Sequence, residues 1–203
     1  TLLGGLGDDI IYLSASNGDN TADGGDGNDY IFAISSSGDN VLTGGAGNDW
    51  LDSSESTGNN SLSGGEGDDS LFTKNSSAGS SNSLDGGNGN DYLSIGLGNT
   101  VVSGGAELDV LQGDFSNATS GIVMSLTVSS TSGLLVANDG TATFTDIEQF
   151  DLTGSAFDDV LLGGNDRDTL YTGSTGNDLL SGGAGLDVLY AYGSSGNSTL
   201  TGG

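Results

Sequence analysis

The side chains that could do chemistry in this chain are almost all carboxylates. Its 203 residues include 28 Asp and Glu but only two basic residues, Lys74 and Arg167, and contain no His and no Cys. Without His or Cys the chain cannot build a Ser-His-Asp or Cys-His catalytic arrangement, a disulfide, or an ordinary zinc or copper site. Carboxylates can still act in pairs, as in glycosidases, or bind Ca²⁺, a hard cation that prefers oxygen ligands.

The charge balance excludes further classes of partner. A formal net charge of −26 at pH 7 leaves no basic surface for nucleic acid or for an anionic membrane. The chain shows no run of about 18 apolar residues and no signal-peptide pattern. We therefore expect no nucleic-acid partner, no membrane insertion and no signal peptide.

The carboxylates belong to a repeat. The dipeptide Gly-Gly begins at residues 4, 24, 44, 64, 86, 104, 163, 182 and 202. Neighbouring pairs lie 18 to 22 residues apart, except for one interval of 59 that is close to three units. The units share the form G-G-x-G-x-D-x-U-x, where U is a large aliphatic residue, as in GGAGNDWLD from residue 44. Acidic chains with few apolar residues are often disordered, but so regular a repeat indicates a folded repeat architecture.

This nonapeptide resembles the repeat of the RTX (repeat-in-toxin, haemolysin-type calcium-binding) family. Eight matches make the resemblance specific, and it covers nearly the whole chain, with 113–153 the least regular part. The resemblance implies several Ca²⁺ ions between adjacent turns, held by Asp carboxylates and by carbonyls of the glycine region. The metal-binding residues implied in the motif turns are Gly4, Gly7, Asp9, Gly24, Gly27, Asp29, Gly44, Gly47, Asp49, Gly64, Gly67, Asp69, Gly86, Gly89, Asp91, Gly104, Asp109, Gly163, Asp168, Gly182, Gly185 and Asp187.

The spacing also predicts the elements that position these residues. Glycines at the first, second and fourth positions permit unusual backbone at a tight turn, and x-U-x is a short strand with one inward side chain. Turn and strand in alternation predict an all-β fold, a right-handed parallel β-roll or β-solenoid with coils of about 20 residues and a calcium-loaded edge. The Asp residues then form a column in which carboxylates about 5 Å apart repel by roughly 3 kcal/mol at an effective dielectric of about 20. A solvated acidic turn without metal is the alternative, but it does not explain the glycine spacing.

The second half of each unit differs from the motif. The place of the ligand Asp is taken by Asn20, Asn40, Asn60, Asn82, Thr100, Asp178 and Ser198. Stacked Asn side chains can donate and accept hydrogen bonds along the coil without an ion. We therefore predict an asymmetric solenoid, with calcium on one edge and a mostly metal-free second edge. Asp159 and Asp178 fall on neighbouring turns of that second edge and predict one ion there.

Two inward rows form the predicted core. They are Ile11, Ile31, Leu51, Leu71, Leu93, Leu111, Leu170 and Leu189 on one strand, and Ala22, Leu42, Leu62, Leu84, Val102, Leu180 and Leu200 on the other. So thin a core does not offset the conformational entropy of a coil, so metal binding must supply the difference. We expect the calcium-free chain to be largely unfolded.

The repeat divides the chain into regular coils over 1–112, an irregular insert over 113–162 and regular coils over 163–203. Strands are expected at 121–128, 133–136 and 141–154, and DIEQFDLTGSAFDDVLLGG (146–164) is similar to a linker of RTX arrays. Three coils' worth of residues fits this insert. Glu107 and Asp166 replace the fourth-position Gly, which leaves calcium occupancy of those two turns open.

Aromatic and aliphatic residues fill the outward positions of the first strand. They are Ile10, Tyr12, Tyr30, Phe32, Trp50, Phe72 and Tyr92, followed by Tyr171, Tyr190 and Tyr192. Two interpretations stay open: cross-strand stacking that stiffens the sheet, or a contact face for a partner. The opposite outward face is rich in Ser and Thr and is expected to be solvated.

These features favour a non-catalytic calcium-binding array of a secreted bacterial protein, which folds on extracellular calcium. The alternative is a self-assembling filament or adhesin, a homo-oligomer or fibre built by end-to-end or aromatic-face stacking. Ice binding is disfavoured because no Thr occupies the third motif position. An enzyme is disfavoured because the four Glu residues are scattered over unrelated repeat positions and a rod offers no cleft.

Overall fold

The chain folds as a β-solenoid of about ten turns with coils of about 20 residues. The computed structural model describes residues 1–76, 79–127, 131–191 and 193–203. The regular secondary structure of these residues consists of strands alone. They contain no helix that is long and apolar enough to cross a membrane. The predicted fold class is confirmed.

Two sheets form the two faces of the solenoid. Sheet A has the spatial order β1-β3-β5-β7-β9-β11-β15-β14-β13-β17-β19-β21, and sheet B has the order β2-β4-β6-β8-β10-β12-β16-β18-β20. The strands of sheet A are, in chain order, β1 (Leu2–Leu6), β3 (Asn20–Asp26), β5 (Asn40–Ala46), β7 (Asn60–Glu66), β9 (Ser81–Asn88), β11 (Asn99–Ala106), β13 (Val123–Leu126), β14 (Gly133–Ala137), β15 (Gly140–Thr145), β17 (Val160–Leu162), β19 (Leu179–Ser181) and β21 (Thr199–Thr201). Those of sheet B are β2 (Ile10–Tyr12), β4 (Tyr30–Phe32), β6 (Trp50–Asp52), β8 (Ser70–Thr73), β10 (Tyr92–Ile95), β12 (Val110–Asp114), β16 (Gln149–Thr153), β18 (Thr169–Tyr171) and β20 (Val188–Tyr190).

Parallel pairing stacks each inward side chain on its equivalent in the next coil. Leu42 pairs with Leu62 in sheet A, and Leu51 pairs with Leu71 in sheet B. The inward rows predicted from the repeat are buried, with two exceptions. Leu189 is partly buried against the core, and Leu200 is 38% exposed because its strand β21 lies at the edge of sheet A, with β19 as its one neighbour among the described strands.

The insert interrupts the parallel order of sheet A. Strands β13, β14 and β15 form an antiparallel meander in which β15 pairs with β11 and β13 pairs with β17. Within the described part of the chain, sheet B places one strand, β16, between β12 and β18. The prediction of three coils is therefore wrong, because the 59-residue interval holds two coils and one added hairpin, β13–β14. Residue 128 of the expected 121–128 strand lies outside the described residues.

A two-residue turn explains how the meander forms. Ala137 pairs with Gly140, so Asn138 and Asp139 make the connection between β14 and β15. Asn and Asp are favoured turn residues, and Gly140, which closes the turn, has a positive φ of 149°.

The outward aromatic residues of sheet B stack on one another. The ring centroids of Trp50 and Phe72 are 4.3 Å apart, and those of Tyr171 and Tyr190 are 4.7 Å apart with nearly parallel planes. Cross-strand stacking is therefore confirmed. The contact-face interpretation stays a prediction, and Tyr192 lies outside the described residues.

Candidate metal centre

The first glycine of each motif makes room for the motif's own Asp. A Cβ placed on Gly44 would lie within 3.0 Å of the Asp49 carboxylate, and the φ of Gly44 is not positive. The same clash occurs at every first-position glycine, namely Gly4, Gly24, Gly44, Gly64, Gly86, Gly104, Gly163 and Gly182. The prediction of unusual backbone is thus wrong for the first position. It holds at the second and fourth positions in most coils, as at Gly25 (φ 108°) and Gly27 (φ 137°).

The motif Asp side chains form a column joined by hydrogen bonds to the backbone. The N–H of Asp29 donates to Oδ1 of Asp49 at 2.7 Å, and the N–H of Asp49 donates to Oδ1 of Asp69 at the same distance. Equivalent bonds join Asp9 to Asp29, Asp69 to Asp91 and Asp91 to Asp109. One oxygen of each carboxylate from Asp29 to Asp109 is therefore fixed by the preceding coil, which also fixes where the other oxygen lies.

That other oxygen is buried and has no hydrogen-bond partner among the described residues. The side chains concerned are Asp9, Asp29, Asp49, Asp69, Asp91 and Asp109. Leaving a charged oxygen buried and unpaired is costly, so such groups call for a positive counter-charge. Six of them in one column form the strongest metal-site feature of the molecule.

A main-chain carbonyl oxygen lies beside the unpaired carboxylate oxygen. A Cβ on Gly64 would come within 3.0 Å of both Asp69 Oδ2 and the carbonyl oxygen of Gly86 in the next coil. Among the described residues no three acidic side chains converge on one point. An ion at this edge must therefore draw on main-chain carbonyls as well as carboxylates, and this all-oxygen donor set fits Ca²⁺.

Burial and mutual repulsion raise the pKa values of these carboxyls when no cation is bound. Burial, aided by neighbouring negative charges, raises the pKa of Asp49 and of Asp91 to about 6, although the backbone hydrogen bond that each carboxylate accepts works in the opposite direction. Burial likewise raises the pKa of Asp69 and of Asp109 to about 7, with the adjacent column carboxylates adding to the effect. A divalent cation would reverse this penalty because it favours the ionised form.

The last two motif turns repeat this geometry with one difference. The N–H of Asp168 donates to Oδ1 of Asp187 at 3.1 Å, as in the first column. Asp168 Oδ2 instead accepts a hydrogen bond from the N–H of Gly164 at 2.7 Å. Burial still raises the pKa of Asp168 to about 7.

The second edge is joined by side-chain amides, as predicted. Nδ2 of Asn20 donates to Oδ1 of Asn40 at 2.8 Å, and Nδ2 of Asn40 donates to Oδ1 of Asn60 at 2.7 Å. Asn60 continues the column to Asn82 at 3.0 Å. Each amide satisfies the next one, so this column needs no cation to fill its hydrogen bonds.

Asp159 and Asp178 lie on neighbouring turns of the second edge. The N–H of Asp159 donates to Oδ1 of Asp178 at 3.0 Å. The carboxylate of Asp159 accepts hydrogen bonds from Ser155 and Ile122, and Ser198 Oγ donates to Asp178 Oδ2 at 3.1 Å. The ion expected between these two carboxylates stays a prediction, since protein donors already contact both.

Glu148 joins the calcium-edge column, although the sequence analysis left it among scattered residues. Its Oε2 accepts the N–H of Asp109 at 2.9 Å, as a column Asp does from the coil before it. The sequence signal that was missed is the spacing between Glu148 and the next inward side chain. Column residues precede the inward side chain by two positions, as Asp49 precedes Leu51, and Glu148 precedes the buried Phe150 by two.

A comparison with protein families agrees with this geometry. A family model described as RTX calcium-binding nonapeptide repeat (4 copies) matches residues 1–17, 12–33, 34–55, 56–75, 78–102, 151–174 and 172–200. No curated protein matches the chain significantly. These repeats are calcium-binding motifs, so Ca²⁺ is the ion of this protein at several sites. Because the matches span well over half of the chain, the protein belongs to the RTX calcium-binding nonapeptide repeat family.

Proposed function

We propose that this chain is a non-catalytic structural module of a secreted bacterial protein, folded by calcium outside the cell. The observation that carries the proposal is the column of six Asp residues, each with one buried carboxylate oxygen that has no hydrogen-bond partner among the described residues. In this proposal the motif Asp carboxylates and the glycine-region carbonyls hold the ions. Without a cation, the column concentrates repulsion along one edge of a rod with a thin core.

The same energetics make the folding of the module depend on the calcium concentration. Where calcium is scarce, the repelling carboxylates keep the chain unfolded, a state that can pass through a secretion channel. Where calcium is abundant, binding stabilises the folded state alone and shifts the equilibrium toward it. Extracellular calcium modules work with weak sites, with dissociation constants of about 10⁻⁴–10⁻³ M.

The test is a calcium titration followed by far-ultraviolet circular dichroism. We expect a coil spectrum in chelator and a strand spectrum in millimolar calcium. The variant D49N/D69N keeps the acceptor for each backbone N–H but removes two ligand charges. It should bind fewer ions and need roughly tenfold more calcium for folding, because affinity follows ligand charge.

The matched control is D19N/D39N, which removes the same net charge from the second edge. Asp19 and Asp39 are exposed and accept backbone N–H groups that Asn can also serve. This variant should follow the unsubstituted chain. A strand spectrum that persists in chelator, or equal behaviour of the two variants, would contradict the proposal.

A second candidate is a self-assembling filament or adhesin built from stacked solenoids. Its support is the aromatic face of sheet B, on which Tyr12, Tyr30 and Trp50 remain 71%, 47% and 38% exposed. Exposed aromatic patches favour lateral contacts between proteins. Sedimentation velocity in calcium tests this candidate: association that is weakened by Y12S/W50S supports it, and monomers at all concentrations contradict it.

A further inference from the structure

The coil that contains β15 and β16 lacks the nonapeptide motif, yet the column reaches it. The family matches leave residues 103–150 uncovered. Asp109, at the edge of this uncovered stretch, is fully buried, and its Oδ2 has no hydrogen-bond partner among the described residues. This oxygen points to a ligand that the following coil must help to hold.

Glu148 occupies the column position in that following coil. The Asp109 N–H donates to its Oε2 at 2.9 Å, compared with 2.8 Å from the Asp91 N–H to Asp109 Oδ1 one coil earlier. The backbone follows the same pattern, since the Gln149 N–H donates to the Asp109 carbonyl at 3.0 Å as the Val110 N–H does to the Asp91 carbonyl. Glu148 is thus the structural equivalent of a column Asp.

Asp146 supplies the carbonyl that a motif glycine supplies elsewhere. A Cβ on Gly104 would lie within 3.0 Å of both Asp109 Oδ2 and the Asp146 carbonyl oxygen. At Gly64 the corresponding pair is Asp69 Oδ2 and the Gly86 carbonyl. Only two positions separate Asp146 from Glu148, against five from Gly86 to Asp91, so the longer Glu side chain spans the shortened turn.

We infer that Asp109, the carbonyl of Asp146 and the carboxylate of Glu148 form a further calcium site between the N-terminal coils and the insert. Two carboxylates and a carbonyl offer hard oxygen donors, the class that Ca²⁺ takes. The inference rests on the proposed calcium function. It extends the calcium edge by one coil beyond the motif and makes Glu148 a metal ligand outside any nonapeptide.

The test counts calcium ions bound per chain by equilibrium dialysis. E148Q keeps an acceptor for the Asp109 N–H and removes only the charge, so a purely structural role for Glu148 would leave the count unchanged. We expect E148Q to lose one ion, or to weaken one site at least tenfold. The control is E55Q, since Glu55 is exposed on the second edge and accepts a hydrogen bond from Ser35 Oγ that Gln can keep.

The outcomes separate this inference from the proposed function. If the unsubstituted chain binds calcium and E148Q binds it equally in number and affinity, the inference is overturned while the function stands. If the unsubstituted chain binds no calcium, the function itself fails. Should E148Q fail to fold in calcium, a crystal of the unsubstituted chain grown in calcium decides: an anomalous peak between Asp109 and Glu148 supports the site, and its absence overturns it.

Discussion

At the scale of the residue, the Asp edge and the Asn edge of the solenoid differ by one side-chain atom, an oxygen in Asp and a nitrogen in Asn. Asp and Asn have nearly the same shape, and both accept a hydrogen bond from the neighbouring coil. Asn40 also donates through its amide to Asn60 and so completes its column. Asp49 cannot donate when it is ionised, and its buried Oδ2 has no hydrogen-bond partner in the part of the chain that the structure describes. Replacing an amide nitrogen with a carboxylate oxygen therefore changes a self-sufficient column into one that needs a cation.

The first motif position must be glycine because a larger side chain would clash with the Oδ2 atom of the motif Asp. Gly44, beside Asp49, is the position at which to test this. We expect G44A to destabilise the calcium-loaded fold by about 1–3 kcal/mol, the usual cost of overpacking, because the new Cβ would clash with the Asp49 carboxylate. It should also weaken calcium binding, since the carboxylate must move. The measurements are the melting temperature in saturating calcium and the calcium midpoint of folding.

Gly18 provides the matched control for this substitution. A Cβ on Gly18 would meet nothing within 4 Å, and its φ is not positive. G18A should therefore leave both the melting temperature and the calcium midpoint nearly unchanged. Equal effects of G18A and G44A would contradict the clash with the Asp49 carboxylate as the reason for the motif glycine.

At the scale of the element, the sequence predicts what repeats and misses what does not. The inward rows, the Asp column and the Asn column follow from the 20-residue period, because parallel pairing places equivalent residues side by side. The hairpin β13–β14 breaks the period while keeping sheet A paired, so counting residues suggested three coils. Asn138, Asp139 and Gly140 carried the missing hairpin signal.

Glu148 was missed for a related reason. Its turn is three residues shorter than a motif turn, so alignment on glycine cannot find it. Alignment on the buried core would find it, because Phe150 pairs with Leu111 in sheet B and Glu148 stands two residues before it. The position of a ligand along a strand is thus better read from the inward side chain than from the turn.

The Asn column can be tested as an element that is independent of the metal. We expect N40A/N60A to lower the melting temperature, because each substitution leaves buried partners unpaired at a cost of about 1–3 kcal/mol. The number of calcium ions bound should stay the same, since the two edges share no ligand. Calorimetry and equilibrium dialysis in parallel measure the two effects, and loss of ions from N40A/N60A would contradict the separation of the edges.

At the scale of the whole molecule, the insert shifts the calcium edge along the strands. Leu111 pairs with Phe150, but the next inward residue, Leu152, pairs with both Gly113 and Leu170. As a result Asp168 accepts the N–H of Phe150 and is not level with Glu148. The column from Asp9 to Glu148 and the pair Asp168–Asp187 are therefore two segments offset by two residues.

Protons can neutralise the carboxylates of the Asp column, as calcium can. Lowering the pH should therefore partly replace calcium in stabilising the fold. Burial raises the pKa of Asp49 from 3.8 to about 6 and that of Asp69 and Asp109 to about 7 in the folded state. A raised folded pKa means that the folded chain holds protons which the unfolded chain has lost. This contribution to stability is fully present below about pH 4 and disappears as the pH rises through 6 to 7.

We therefore expect the calcium-depleted chain to gain strand signal in circular dichroism when it is taken from about pH 8 to about pH 5, a direction opposite to ordinary acid denaturation. In saturating calcium the same acidification should reduce the strand signal, because the ions need ionised carboxylates and are displaced as those groups take up protons. D49N/D69N should respond less to pH without calcium, since two of the titrating groups are gone. Loss of strand signal on acidifying the depleted chain would mean that the column does not destabilise the calcium-free fold.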